Sequence, residues 1–351
     1  MHILSHKHSN FRGLADNNYD LTNTNLVVGD NGTGKTSLLE SIYVSLLGTP
    51  LNSFSTAGVE LSRNASGTLM TDSRLINDRD QLYSQGFVLD KHNKRLTSNG
   101  TILSVREAFL ETPVCLIDPS VDRVSSESPE YRRRLVDRSV FHVEQKHAES
   151  YKKMQKGIKQ RNRSIKNGDS ESAVKSWDAV ISDEGEKVTE HRVMFIRELQ
   201  DEIDALDKKI LKKEIKMKLS NGWGEESLSD YLERNIKRDI AAKRTLGGPH
   251  RADLLISVDG KTAKEYSSKG EEKQMSLSVS FGISRLIEKK TGARPILLID
   301  ELESGLDEAA LERISEYIKS LENQILITTL EHHKIKEILG GETIHPKQHN
   351  Y

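Results

Sequence analysis

The residues with the most definite chemistry are Gly29-Asp30-Asn31-Gly32-Thr33-Gly34-Lys35-Thr36, followed by Ser37. Their spacing is G-x-x-x-x-G-K-[ST], a loop that holds the phosphates of a nucleoside triphosphate. Glycines let the backbone curl until its N–H groups point at the β- and γ-phosphates, and the positive end of a following helix adds to the attraction. Lys35 supplies a point charge to the phosphates, and the Thr36 hydroxyl is a ligand for Mg²⁺. Much further along, Ile296-Leu297-Leu298-Ile299 reads as a buried strand that ends in Asp300 and Glu301. A carboxylate at the C-terminal edge of a parallel sheet stands where the metal is held, which makes Asp300 its expected partner. Glu301, one residue on, is placed to act as general base or to orient the attacking water. A third group, Ser268-Lys269-Gly270-Glu271, opens an expected helix and forms a second anion site, although a simple helix cap would read the same way.

The elements that must position these residues follow from periodicity. Leu26-Val27-Val28 runs as a strand into Gly29, and 37–47 is apolar at helical spacing. Residues 54–117 alternate short apolar runs with turn residues, including Asn99-Gly100, as antiparallel hairpins do. From 130 to 244 the chain becomes helical and highly charged, with breaks at Asn167-Gly168-Asp169 and Asn221-Gly222-Trp223-Gly224. Apolar a/d spacing is sustained only over 196–215, so packed helices of ordinary length are expected rather than a long coiled coil. After Gly247-Gly248-Pro249 strand and helix patterns alternate again: strand 252–258, helix 271–289, strand 295–299, helix 308–321 and strand 324–329. The segment from Gly340 onward is polar and is expected to fray. The expected division is 1–129 with 245–351 as an ATPase lobe and 130–244 as a helical lobe.

Composition narrows the class. Apolar residues make up 35% and charged residues 30% of 351, with a formal net charge of −1. Overall charge therefore argues for no nucleic-acid partner, and any basic surface must be local. The one cysteine, Cys115, excludes a disulfide framework and a cysteine-based zinc site. No run approaches the length of a membrane span, and the first residues lack the apolar stretch of a signal peptide, so a cytoplasmic protein without membrane contact is expected. Locally, 131–166 carries twelve Lys/Arg against three Asp/Glu. Arg132, Arg133, Lys152, Lys153, Lys156 and Lys159 are the candidate DNA contacts. Aromatics are sparse there, so phosphate contact to duplex is indicated rather than base stacking; packing of Arg132 and Arg133 at the lobe interface is the alternative.

The stretch around Ser268–Gly270 resembles the signature motif of ABC-type ATPases, and Ser304-Gly305-Leu306-Asp307 resembles their D-loop. The fold implied is an α/β ABC-type P-loop ATPase head with a mixed sheet, flanking helices, an antiparallel hairpin region and an inserted helical lobe. Four further stretches resemble the RecF family of bacterial repair proteins over nearly the whole chain. They are Asn10-Phe11-Arg12; Asp118-Pro119 with Ser128-Pro129-Glu130-Tyr131-Arg132-Arg133-Arg134-Leu135-Val136-Asp137; Trp177-Asp178 with Gly185 and Arg192; and Gly248-Pro249-His250-Arg251-Ala252-Asp253-Leu254. The chain departs from the family pattern at Glu271, usually Gln, and at Glu301, often Asp. The resemblance implies a slow, DNA-stimulated ATPase that dimerises around two ATP molecules, each signature serving the γ-phosphate bound by the other subunit. It also implies a DNA clamp in recombination, replication and the SOS response, acting on duplex beside single-stranded gaps. RecR and RecO are the implied partners, and loading of RecA recombinase the implied outcome. Arg12 becomes a candidate contact to ATP, His250 a candidate brace of the nucleotide interface, and His332 a candidate γ-phosphate sensor. The alternatives are another ABC/SMC-type head, or a DNA scaffold that holds ATP with little hydrolysis.

Overall fold

Short alternating strands and an Asn-Gly turn build the first sheet. In the computed structural model, which describes residues 1–50, 61–64, 67–91, 93–117, 124–206, 209–330 and 333–349, it consists of β1 (His2–Ser9), β2 (Asn17–Asp20), β4 (Leu69–Ile76), β5 (Leu82–Asp90), β6 (Asn93–Ser98) and β7 (Thr101–Leu103). The order is β2-β1-β4-β5-β6-β7, antiparallel throughout. Asn99 and Gly100 join β6 to β7 with φ of 47° and 80°, the left-handed pair that a two-residue hairpin requires. β1 reads as unusually polar, yet His6 is buried with both ring nitrogens occupied, on Ser73 Oγ at 2.9 Å and Ser41 Oγ at 2.8 Å. Burial holds its pKa well below the usual imidazole value, so the ring is neutral.

The second sheet is wholly parallel: β3 (Thr24–Val28), β8 (Val114–Ile117), β12 (Ile296–Ile299), β13 (Ile325–Thr329) and β14 (Glu342–Ile344), in the order β14-β3-β13-β12-β8. β8 and β12 are continuous apolar runs because both faces are covered, and β13 is buried along its length. α1 (Lys35–Leu47) buries eleven of its thirteen residues, packed on β4 and β5 of one sheet and β13 of the other. α9 (Lys269–Thr291) packs on β8, while α2 (Val105–Glu111), α10 (Glu308–Lys319) and α11 (His333–Leu339) complete this unit. It comprises Met1–Asp122, Lys208–Leu211 and Lys269–Tyr351.

The other unit, Arg123–Asp207 with Lys212–Ser268, holds α3 (Pro129–Val143), α4 (Gln145–Asn167), α5 (Glu171–Lys175), α6 (Asp178–Asp204), α7 (Leu228–Ala241) and α8 (Ala263–Tyr266). It also carries the antiparallel strands β9 (Ile215–Ser220), β10 (Asp253–Val258) and β11 (Lys261–Thr262). Three expectations change here. The a/d stretch 196–215 is not one helix: α6 stops at Asp204 and Ile215 opens β9. The boundary expected at 245 falls at 269, because β10 pairs with β9 from Asp253↔Ser220 to Val258↔Ile215 and so belongs with the helices. Residues 342–349 do not fray, since β14 adds to β3 and the chain beyond it is hydrogen-bonded at Lys347 and His349.

The motifs that resemble the RecF family are largely the skeleton of this second unit. Ser128 caps α3 by accepting from the Tyr131 N–H, with Pro129 in the first turn. Arg132 donates from Nε and Nη2 to Asp253, both at 2.7 Å. Arg192 donates to both oxygens of Asp137 at 2.7 and 2.9 Å and to the Pro249 carbonyl at 2.8 Å. Arg161, wholly buried, holds Asp178 and Asp239, each at 2.7 Å. Gly185 is the close approach point of α6: a Cβ there would lie 2.8 Å from Leu228 Cδ2.

Candidate functional site: a nucleotide cleft at the strand ends

In a parallel sheet every strand delivers its C-terminal end to the same edge, which is where open α/β folds bind ligands. β3 leads there into the phosphate loop, and β12, separated from it by β13, delivers Asp300 and Glu301. The cleft between them has a volume of about 510 Å³ and is lined by residues of both, among them Asn31, Gly32, Lys35, Thr36, Ser37 and Glu301. The loop curls as its glycines predict, with Gly32 and Gly34 at φ of 82° and 92°. At that φ any side chain on residue 34 would be strained, and a Cβ there would also lie 2.7 Å from Leu14 Cδ2.

Lys35 Nζ donates to the carbonyls of Gly29 at 2.7 Å and Asp30 at 2.9 Å, arching back over its own loop. The Thr36 hydroxyl donates to Asp300 Oδ2 at 2.8 Å, which brings together the two residues expected to share a metal. Asp300 is fixed on its other side by the Thr328 hydroxyl. Glu301 has φ of 44°, a left-handed backbone rare outside glycine. Its N–H donates to Thr328 Oγ1 at 2.7 Å and its carbonyl accepts from Lys273 Nζ at 2.8 Å. The strained backbone is held from both ends, and its side chain lines the cleft. Thr328 and Lys273 were missed in the sequence because neither type signals chemistry by itself.

Other expected site residues stand apart from the cleft. Arg12 is paired with the buried Glu40 of α1, its Nη2 on Oε1 at 3.0 Å, and does not line the cleft. Asp307 caps α10 through the Ala310 N–H at 2.7 Å. Lys269 is exposed at the start of α9, Ser268 is exposed just before it, and none of Lys269, Gly270 or Glu271 lines the cleft. A Cβ at Gly270 would come within 3.2 Å of the Gly305 carbonyl, so the signature stretch and the expected D-loop touch. His250 is half-buried, its Nε2–H donates to the Thr245 carbonyl of its own unit at 3.2 Å, and desolvation pushes its pKa down to about 4. Asp118, Pro119 and His332 lie outside the described residues.

The basic stretch divides. Arg132 is withdrawn from the DNA candidates, because its donors are used on Asp253 and on the Ser125 and Glu127 carbonyls and only 5% of it is exposed. Arg133 is half-buried and donates to the Ala252 carbonyl at 2.6 Å. Lys152, Lys156 and Lys159 are exposed, as are Arg163 and Lys166. Spaced by four, three, four and three residues, these five share one face of α4, opposite the buried Met154, Ile158, Arg161 and Ile165. Lys153 is also exposed and pairs with Glu149 at 2.7 Å.

The parallel sheet, the phosphate loop at its edge and the acidic end of β12 make the fold of an ABC-type ATPase head. The model of a family described as "AAA domain, putative AbiEii toxin, Type IV TA system" matches residues 25–329. The chain is 31% identical to DNA replication and repair protein RecF of Coxiella burnetii (strain Dugway 5J108-111), over 95% of this chain and 94% of that protein. It is 28% identical to the protein of the same name from Aliivibrio salmonicida, again over 95% and 94%. Its fold matches "Structure of the recombination mediator protein RecF-ATPrS in RecFOR pathway" with a TM-score of 0.86 at 21% identity, over 99% of this chain and 98% of that one. An Smc head bound to a domain of ScpA matches at 0.59 and 16% identity, over 96% and 92%. The chain carries that AAA domain and belongs to the RecF family.

Proposed function

We propose that this chain is an ATP-dependent DNA clamp: two copies close around two ATP molecules and grip duplex DNA beside single-stranded gaps during replication and repair. The observation that carries this reading is the gathering of Lys35, Thr36, Asp300 and Glu301 at one cleft while the exposed start of α9 lies off it. A helix N-terminus that faces solvent is free to meet a phosphate bound elsewhere, in a second copy. Lys35 and the loop N–H groups take the β- and γ-phosphates, and Glu301 aligns the water that attacks the γ-phosphorus. The Thr36 hydroxyl and Asp300 carboxylate are hard oxygen donors of the kind Mg²⁺ takes when phosphate and water fill its remaining positions. Bound there, the ion supplies charge neutralisation between the β- and γ-phosphates. RecR and RecO are the partners and RecA loading the outcome that family membership supports, with ATP turning over slowly and faster on DNA. Among the described residues no helix is long and apolar enough to cross a membrane.

Sedimentation of the full chain with Mg²⁺ and ATP tests the shared site. The wild type should shift to a dimer, whereas Ser268→Arg should bind ATP and remain monomeric; a Ser268→Arg protein that dimerised normally would remove the two-part site. The DNA face has its own test. Lys156→Glu with Lys159→Glu should weaken duplex binding about 10–100-fold near 0.1 M salt and flatten the log K against log salt slope by about two. An unchanged slope would place the DNA elsewhere.

A further inference from the structure

The phosphate loop is braced by a segment, residues 345–349, to which its sequence assigns no chemistry. The Ala15 N–H donates to the Lys347 carbonyl at 2.8 Å, the His349 N–H donates to the Gly13 carbonyl at 3.0 Å, and Leu14 and Gln348 face each other as an antiparallel bridge. β14, beside β3, delivers the segment to this position. Gly13 and Gln348 both line the nucleotide cleft, and Pro346 lies on the Gly34 side of it, 3.9 Å from where a Cβ on that residue would stand.

One contact has a specific consequence. Gln348 Nε2 donates to the Gly32 carbonyl, and the N–H of the same peptide unit, on Thr33, donates to the Asp30 carbonyl at 3.3 Å. The Gly32–Thr33 peptide plane is therefore held at both ends. Gly32, at φ of 82°, sits in a region that glycine enters freely, so its backbone adds little resistance of its own to rotation of this plane. A carbonyl that rotates inward presents its negative end to the triphosphate. We propose that Gln348 is a positioning residue of the phosphate loop, keeping the Gly32 carbonyl turned away from the anion, and that 345–349 forms one wall of the triphosphate site.

This rests on the ATP reading above, and the test separates the two. Binding of a fluorescent N-methylanthraniloyl ATP with Mg²⁺, steady-state hydrolysis and thermal melting are measured on the full-length wild type, Gln348→Ala and Gln348→Glu. Gln348→Ala should raise Kd and KM together by about fivefold, the worth of one neutral hydrogen bond, and leave kcat within about twofold, as expected when ground and transition states lose the same binding. Gln348→Glu should raise Kd further, since a carboxylate cannot donate and adds negative charge beside the phosphates. The melting temperature should not move in either. Wild-type binding with unchanged affinity in both variants overturns this inference alone. A fall in kcat and melting temperature at constant KM overturns it in favour of a merely structural role. A wild type that binds no nucleotide overturns the ATP reading and this inference with it.

Discussion

Glu301→Gln is expected to lower ATP hydrolysis by about 10²–10³-fold, within the range that a positioned acid–base group contributes, while ATP binding stays within about threefold. The argument is geometric. Gln keeps the size and hydrogen-bonding reach of Glu but cannot take a proton from water, so only the chemical step suffers. The left-handed backbone at Glu301 is held by Thr328 and Lys273 through main-chain atoms, and the substitution leaves both contacts in place. Phosphate release and nucleotide binding measured side by side decide it. A variant that hydrolyses at the wild-type rate would remove Glu301 from the chemistry, and one that loses binding would show that the side chain shapes the cleft instead. With hydrolysis blocked, the clamp reading further requires the variant to accumulate as an ATP-bound dimer on DNA.

Arg161→Ala should destabilise the helical unit by about 3–5 kcal/mol, the cost of leaving buried carboxylates without their cation. Arg161 is fully buried, Asp239 is fully buried beside it, and Asp178 is half-buried. Burial already raises the Asp178 pKa against the pull of Arg161. Without the guanidinium that carboxyl rises further. A carboxyl raised above its unfolded value adds stability only while it is protonated, so the deficit should narrow as pH falls through the raised folded pKa and widen as pH rises through it. Both tryptophans, Trp177 and Trp223, belong to this unit, so their fluorescence during urea unfolding of the full chain reports on it selectively. The midpoint should fall by about 1–3 M. A shift below about 0.3 M would mean that the ion pairs are not structural.

What could be read from the sequence depended on whether a signal was local. The phosphate loop, the acidic strand end and the Asn-Gly hairpin are each complete within a few residues, and each stands where its pattern placed it. β3, β12 and β13 were legible because burial on both faces leaves apolar runs, whereas β8 was read within the antiparallel hairpin region and β14 within a fraying segment, yet both pair in parallel. β9 was not legible, although Ile215-Lys216-Met217-Lys218-Leu219 alternates with the period of a strand; the helical residues before it extended the wrong period across the boundary. Arg132 was misplaced for a related reason. A run of cations looks like a surface until its acid, Asp253, is found 121 positions away, and pairing over that distance leaves no local trace. Thr328, Lys273 and Gln348 were missed because they act by holding main-chain groups, work that many residue types can do. The motifs that name the family mostly mark the ion-paired skeleton, whereas the chemistry is written in motifs shared with far more distant ATPases.

The place of β3 in its sheet has a consequence for how the protein is made. Its neighbours, β13 and β14, come from the far end of the chain, and the carbonyl of Ile325 that meets Asn25 is 300 residues away. As the polypeptide leaves the ribosome, the strand that carries the phosphate loop must wait for the partner 300 residues further on before either edge is paired. Pairings of such span are slow to form because chain closure precedes any compensating contact. A nascent chain therefore cannot complete the sheet around β3 until β13 and β14 have been made.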